Sequence, residues 1–554
     1  MAVYECSDLF IEVLNAEGVE YIFYNPGFDV VPLLSAAARY RAAGKPAPVP
    51  IMCLDEFTAL NAAHGNYMVS GRPQVLLVHA ELGTQQVGGA IQQAAYGRVP
   101  VIICAADMTL PGRLNWRGEP YDPGAMLRNC VKWDHKVGNP AAFYEALRAA
   151  FQKALSGPTG PVYLTYPVDL LTKQAEVSGI QKSDLSGWEP VDNVRLETAA
   201  EILLQAENPL VMTGYSGRNP SAVSSLVELA EILGARVVTS PVRMNFPSDH
   251  PLCANLEPND GLQSRPYFLS SDAVLVIDYD IPYAHPRTQP RAETRFIHID
   301  TDFTKQGEML WSRKPDVAIQ GDSAAIIPLL SSLVRRRLSS EMRLKIQKRV
   351  EKITAEQLQV RQEYKALAEK SGGAYPISPE WLAYCINRVV DREAVIVNQT
   401  IMPSGSVARQ VKRTKAGTLL GCAGGTIGWA LGAALGAKVG SPDKMVVALM
   451  GDGAFIYGGP EAALWPAKYY KAPFLTVIFN NQAYGAIKML FQGRWKEGIE
   501  NSTINPPPVY AEIAQACGAF GRTVDKPEDV IPALQEAVQK VRAGQAAVVD
   551  VRTG

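Results

Sequence analysis

Short apolar runs separated by helical patterns recur along nearly the whole chain, and this alternation leaves few folds open. In residues 1–175 the runs fall at 21–24, 50–53, 74–78, 100–105 and 161–166, with helical patterns such as 55–70 and 141–155 between them. Runs such as VLLVH and VIICAA are apolar throughout, as strands buried on both faces must be. Strands alternating with helices imply parallel sheets covered by helices. The pattern returns in residues 194–340, at 209–213, 236–239, 273–277 and 295–299. It returns again in residues 376–554, at 394–397, 445–450, 474–479 and 547–551. A polar stretch at 172–193 and a charged helical pattern at 341–371, followed by GGAYPIS, read as connectors. The expected fold class is α/β, with three parallel-sheet α/β domains at 1–175, 194–340 and 376–554.

The 554 residues carry a formal net charge of −1, which gives no electrostatic reason to expect nucleic acid or an anionic membrane as partner. A basic stretch at 335–349 alternates with apolar residues and reads as a solvated helix face. The eight cysteines are scattered singly with no CxxC, a pattern that suits a reducing compartment. The opening MAVYECSDLFIEVL shows no basic region followed by an apolar core, so a cytoplasmic protein is expected. Residues 419–437 form an apolar run, and glycines recur at 424, 428, 432, 436 and 440, a spacing that packed membrane helices also use. The run stands alone, is rich in small residues and leads into a strand. It is therefore expected to be a soluble helix packed closely on a sheet.

The strongest chemical signal is Gly451-Asp452-Gly453 after one apolar run and Asn480-Asn481 after the next, with a helical pattern at 459–470 between them. This is one βαβ unit, so both polar clusters are expected at the carboxyl ends of neighbouring parallel strands, where open α/β sheets bind ligands. Two glycines let backbone amides approach a diphosphate, while Asp452 and Asn481 offer a cation one charged and one neutral oxygen.

In these motifs the sequence resembles the thiamine diphosphate-dependent decarboxylase and acetohydroxyacid synthase superfamily, whose cofactor motif starts with GDG and ends with NN. The resemblance covers nearly the whole chain. It implies a pyrimidine-binding domain, a central domain and a diphosphate-binding domain, with thiamine diphosphate and Mg2+ as cofactors. It further implies that Asp452, Asn481 and the Ala483 carbonyl hold magnesium, and that Gly451, Gly453 and Ala454 lie against the diphosphate. In LDEFTALNAAHGNYMVSGRP, Glu56 falls where the superfamily places the acidic residue that hydrogen-bonds the aminopyrimidine ring, with Asn66-Tyr67 in place of the usual Gly-Tyr. A carboxyl group there stabilises the imino tautomer, whose nitrogen can take a proton from the thiazolium carbon. The same residue, with Asp55 beside it, would also suit a plain helix N-terminus.

CAGGTIGWALGAALG, residues 422–436, is similar to the stretch before the diphosphate site in benzoylformate decarboxylase-like enzymes. By that likeness the Gly425 carbonyl receives the exocyclic amine, Ile427 wedges beneath the bent cofactor, and Asn398 and Thr400 face the diphosphate. His79, before a Gly83-Thr84 loop, and His285 fall where such enzymes place active-site histidines. One departure matters: Asn25-Pro26-Gly27-Phe28 stands where those enzymes carry a serine after N-P-G, and a phenyl ring can only pack. The remaining histidines, 64, 135, 250 and 298, show no metal-ligand spacing. TGYSGRN at 213–219 is an incomplete nucleotide-type turn, so the central domain is expected to be structural.

The expected activity is a lyase acting on 2-keto acids or 2-hydroxy ketones, with an acetolactate synthase-like transferase as the alternative. A flavin-bearing oxidase is the third possibility. The resemblance also implies a homodimer or homotetramer with the cofactor between the first domain of one chain and the third of its partner.

Overall fold

The computed structural model describes residues 1–107, 122–183, 192–254, 265–280, 290–302, 315–495 and 497–554. The chain is mixed α/β, built on three parallel sheets. The first runs Val49–Met52, Tyr21–Tyr24, Gln74–Val78, Val101–Asp107, Val162–Pro167, Asp134–Lys136. The second runs Arg236–Thr239, Pro209–Thr213, Ala273–Ile277, Arg295–Asp300, Val317–Gln320. The third runs Leu419–Gly421, Val395–Gln399, Val446–Gly451, Leu475–Asn480, Ala547–Arg552, Phe520–Val524. The inner strands are the continuous apolar runs of the sequence; Gln74–Val78 and Val101–Asp107 are buried at every position. The edge strands Asp134–Lys136, Val317–Gln320, Leu419–Gly421 and Phe520–Val524 carry no such signature because they are short and only partly covered. The stretch 172–193, expected to be a connector, opens with Gln174–Val177, which pairs antiparallel with Ala2–Glu5.

The basic segment is more than a solvated face. The helix Ser340–Lys370 is held to the second sheet's layer by Arg349, which donates to the Gly234 carbonyl at 3.1 Å and to that of Leu233. These are the last carbonyls of the helix Pro220–Leu233, where a cation complements the unpaired helix end. Arg335 and Arg337 reach Glu228 and Glu201 on neighbouring helices.

Two helices tie the first sheet to the third. Glu56–Ser70 starts at Asp55, whose carboxylate accepts the Thr58 N–H at 2.5 Å, and ends at Gly71, with φ 68. Trp429–Gly440 lies against it with the backbones in contact. A Cβ at position 436 would fall 1.8 Å from the Ala62 carbonyl oxygen, and one at position 65 would fall 2.0 Å from that of Ala433. Asn66 Nδ2 donates to the Gly436 carbonyl at 3.2 Å, and His64 lies edge-on to Trp429 at 5.2 Å. Burial pushes His64 down to about 3, so its ring is neutral here. The glycine face is thus explained by close packing, as expected, but its partner is a helix and not a sheet. Among the described residues, no helix is long and apolar enough to cross a membrane.

Alanine in a helix normally stabilises by about 1 kcal/mol relative to glycine. At position 436 the added methyl would force two backbones apart, so Gly436→Ala is expected to destabilise the protein by about 3 kcal/mol, measured by chemical denaturation of the purified chain.

Candidate active site

The strands Val395–Gln399, Val446–Gly451 and Leu475–Asn480 end side by side, with Gln399 in register with Met450 and Gly451 with Phe479. A cleft of about 520 Å³ opens at these ends, within the size range of small-molecule sites. Strand Val446–Gly451 passes directly into the helix Asp452–Tyr457, so the GDG triplet spans the junction. Asp452 is buried at the cleft wall, and among the described residues its Oδ2 has no hydrogen-bond partner. Burial pushes its carboxyl group up to about 6, against the pull of the Gly453, Asp452, Ala483 and Gln482 N–H groups. Asn481 Oδ1 accepts the Ala483 N–H at 3.2 Å, closing a turn through Gln482 at φ 54. This turn presents Asn481 and Ala483 to the same cleft.

These donors fit a magnesium ion. A buried carboxylate oxygen without a partner is costly unless a cation or donor meets it, and one carboxylate, one amide and one carbonyl leave room for phosphate oxygens. Among the described residues no three His, Cys, Asp or Glu side chains gather into a protein-only cage. The glycines divide in meaning. A Cβ at 453 would fall 2.8 Å from the Tyr484 ring, whereas one at 451 would meet nothing within 4 Å. Gly453 is therefore required by the protein's own packing, and the space over Gly451 is left open to a ligand.

Ile427 and Ala454 line the cleft. Gly425 precedes Ile427 in a left-handed conformation, φ 76, that favours glycine. Two glutamines hold this loop. Gln93, from the first sheet's layer, donates to the Thr426 carbonyl at 2.8 Å and accepts the Gly424 N–H, while Gln399 donates to the same Thr426 carbonyl at 2.6 Å. Asn398 and Thr400 are engaged with one another, the Thr400 N–H and hydroxyl both donating to Asn398 Oδ1. Neither lines the cleft; Gln399 and Ile401 do. Along an extended strand alternate side chains face opposite ways, which gives the cleft to Gln399.

The second cluster lies at the carboxyl ends of Tyr21–Tyr24, Val49–Met52 and Gln74–Val78. Glu56 is buried there, and Asn25 Nδ2 donates to its Oε2 at 3.0 Å. Asp55 performs the helix capping, so Glu56 is not needed as a cap. A Cβ at Gly83 would fall 2.6 Å from Glu56 Oε1, so glycine leaves this oxygen its space. His79 follows the strand Gln74–Val78, with Nδ1 2.7 Å from Asp29 Oδ1, and the Phe28 ring stands edge-on to it at 5.3 Å. Gly83-Thr84, expected in a loop, belong instead to the helix Ala80–Gln86, where Thr84 donates to the Ala80 carbonyl. His285 lies outside the described residues. Asn25, Asp29, Gln93 and Gln399 were not singled out from the sequence; the N-P-G motif that carries Asn25 was the nearest signal. Among the described residues none that lines the cleft precedes Ser378, so Glu56 does not line the cleft that holds Asp452.

In the central sheet the glycine turn is filled from within. A Cβ at Gly214 would fall 2.7 Å from the Asp278 carbonyl oxygen, the Gly217 N–H donates to Asn245 Oδ1, and Arg218 pairs with Asp278 at 2.9 Å.

Three family models match in chain order: the thiamine pyrophosphate enzyme N-terminal TPP binding domain at 5–121, the central domain at 196–330 and the C-terminal TPP binding domain at 403–551. The chain belongs to the thiamine pyrophosphate-dependent enzymes, the family that includes decarboxylases, carboligases and acetolactate synthases. It is 27% identical over 503 residues to benzoylformate decarboxylase of Pseudomonas aeruginosa, covering 88% of this chain and 87% of that one. It is 24% identical over 560 residues to a probable acetolactate synthase large subunit of Methanocaldococcus jannaschii, covering 96% and 89%. Its fold matches the thiamine diphosphate-dependent 4-hydroxybenzoylformate decarboxylase of Rhodococcus jostii RHA1 with a TM-score of 0.84, at 23% identity, covering 100% and 99%.

Two outcomes are expected. Gly83→Ala crowds Glu56 Oε1 at 2.6 Å and sets its methyl 3.1 Å from the Cβ of buried Val78, so a small fall in melting temperature is expected beside a loss of at least ~10-fold in turnover. Below about pH 6 a cation must displace the Asp452 proton. Magnesium affinity, read by calorimetry from pH 5 to 8, should therefore be level above pH 7 and fall by about tenfold per unit below 6.

Proposed function

We propose that the protein is a thiamine diphosphate- and magnesium-dependent lyase acting on 2-keto acids or 2-hydroxy ketones, by decarboxylation, carboligation or both. The observation that carries this reading is the partnerless Asp452 oxygen, buried beside Asn481 and Ala483 in a cleft at three strand ends. On this reading residues 1–175 bind the pyrimidine, 194–340 are structural and 376–554 bind the diphosphate. Asp452, Asn481 and the Ala483 carbonyl hold magnesium, with Gly451, Gly453 and Ala454 against the diphosphate and Ile427 and the Gly425 carbonyl toward the rings. Thiamine diphosphate, when bound, supplies a nucleophilic carbon and an electron sink for the bond beside a carbonyl. Glu56 holds a proton at Oε1 or Oε2 against the pyrimidine, steadied by Asn25. His79 and His285 move protons on the substrate side.

The half-sites point to a second copy. Phe28, Leu54 and Leu82 stand exposed around the Glu56 cluster, and Ile401, Met402, Tyr484, Ile487 and Leu490 stand exposed around the cleft. Apolar surface beside an incomplete site is what a partner subunit would cover, which supports a homodimer or homotetramer with each site shared. The eight unpaired cysteines support a cytoplasmic location. Phe28, in place of a hydroxyl, favours a substrate with an apolar flank. The likeness to an acetolactate synthase subunit supports the second reading, a transferase condensing two 2-keto acids.

The deciding experiment incubates the protein with thiamine diphosphate and Mg2+ and a panel of 2-keto acids and 2-hydroxy ketones, following CO2 release and new carbon–carbon bonds. Acetolactate formed from pyruvate would select the second reading, and no turnover together with no cofactor binding would remove both. Glu56→Gln is expected to keep the fold and lose at least ~100-fold in rate, with the circular dichroism spectrum as the check on folding.

A further inference from the structure

Asp29 is a buried carboxylate that the cofactor half-sites leave unexplained. Only 1% of it is exposed, yet both oxygens are engaged: Oδ1 lies 2.7 Å from His79 Nδ1, and Oδ2 accepts the Ala80 N–H at 2.9 Å. A buried carboxylate beside a ring nitrogen accepts a proton from it, so this contact places the hydrogen on Nδ1 and leaves Nε2 as the free nitrogen. Among the described residues Nε2 makes no hydrogen bond, and the His79 side chain is 29% exposed while Asp29 is sealed behind it. Nε2 is therefore the nitrogen available to a substrate.

Three further features serve this one contact. A Cβ at Gly27 would fall 2.6 Å from Asp29 Oδ1 and 2.8 Å from His79 Nδ1, on the hydrogen bond itself. Ala80 has φ 29, a left-handed conformation that a non-glycine residue rarely adopts, and its N–H is the one Asp29 holds. The Phe28 ring closes the remaining side of the imidazole at 5.3 Å. A histidine that only filled space would need none of these.

We propose that Asp29 is a positioning residue: its carboxylate holds the His79 ring by Nδ1 and presents Nε2 as the atom that transfers protons with the substrate. The inference rests on the lyase reading. In one turnover the doubly protonated ring gives its Nε2 proton to the substrate-derived carbon or oxygen that takes up an electron pair when the carbon–carbon bond breaks. The ring is left neutral with Nδ1–H still on Asp29, and solvent returns the proton. No oxidant or reductant takes part.

The test begins with the full-length protein labelled with 15N-histidine, free of substrate, with the His79 signal assigned by its loss in His79→Gln. The proposal expects the neutral ring to carry its proton on Nδ1; an Nε2–H ring overturns it. This measurement needs no turnover, so it stands or falls separately from the lyase reading. The near-isosteric Asp29→Asn can keep the Ala80 contact while offering an N–H to the ring, which should move the ring proton to Nε2. With benzoylformate or pyruvate, whichever is turned over, kcat should fall at least ~10-fold while KM changes less than about threefold. Because Asp29 acts through His79, the double variant Asp29→Asn/His79→Ala should be no slower than His79→Ala alone. An unchanged tautomer in Asp29→Asn, or rate losses that simply multiply in the double variant, would overturn the proposal.

Discussion

The arrangement of this molecule depends on one contact, the backbone-to-backbone approach of the helices Glu56–Ser70 and Trp429–Gly440. Gly65 against Ala433 and Gly436 against Ala62 leave no room for a methyl group on either side. Contacts on both sides extend the junction: Phe57 stands edge-on to Tyr457 at 5.9 Å, Asn66 reaches the Gly436 carbonyl, and Gln93 grips the loop before Trp429. Packing this close is intolerant of added volume, so the first and third sheets are held in one relation within a chain. In that relation Glu56 stands at the strand ends of the first sheet and Asp452 at those of the third.

Two buried aspartates show how the environment sets the role of a side chain. Asp29 has both oxygens engaged within the chain, one by His79 and one by the Ala80 amide. Asp452 is as deeply placed, but among the described residues one oxygen finds no partner, and burial pushes its carboxyl group up to about 6. The first is closed within the chain, and the second leaves one oxygen open to the cleft. Both carboxylates are buried, and the difference lies in which partners the fold brings within reach.

Much of the site could be read without coordinates because its chemistry follows strand ends. The GDG triplet and the Asn pair each follow an apolar run, and parallel pairing of those runs brings Asp452, Asn481 and Ala483 to one cleft. Glu56 follows the second strand of its sheet in the same way. Asn398 and Thr400 were less legible, since one residue of offset along an extended strand exchanges the two faces, and the cleft falls to Gln399. Asp29 and Gln93 gave no signal, because their partners, His79 and Thr426, lie 50 and 333 residues away in the chain.

What the sequence determined by itself is local and periodic: three α/β layers, the strands buried on both faces, the glycine-bearing helix and the order of the cofactor motifs. These follow from hydrophobic spacing and backbone preference, which act over a few residues. The tertiary structure alone decided that the glycine face meets a helix, that Gly83 makes space for Glu56, that Asp29 meets His79, and that Glu56 does not line the cleft of Asp452. Each of these is a contact between distant segments, and its energy depends on distances of a few ångströms that no local pattern encodes.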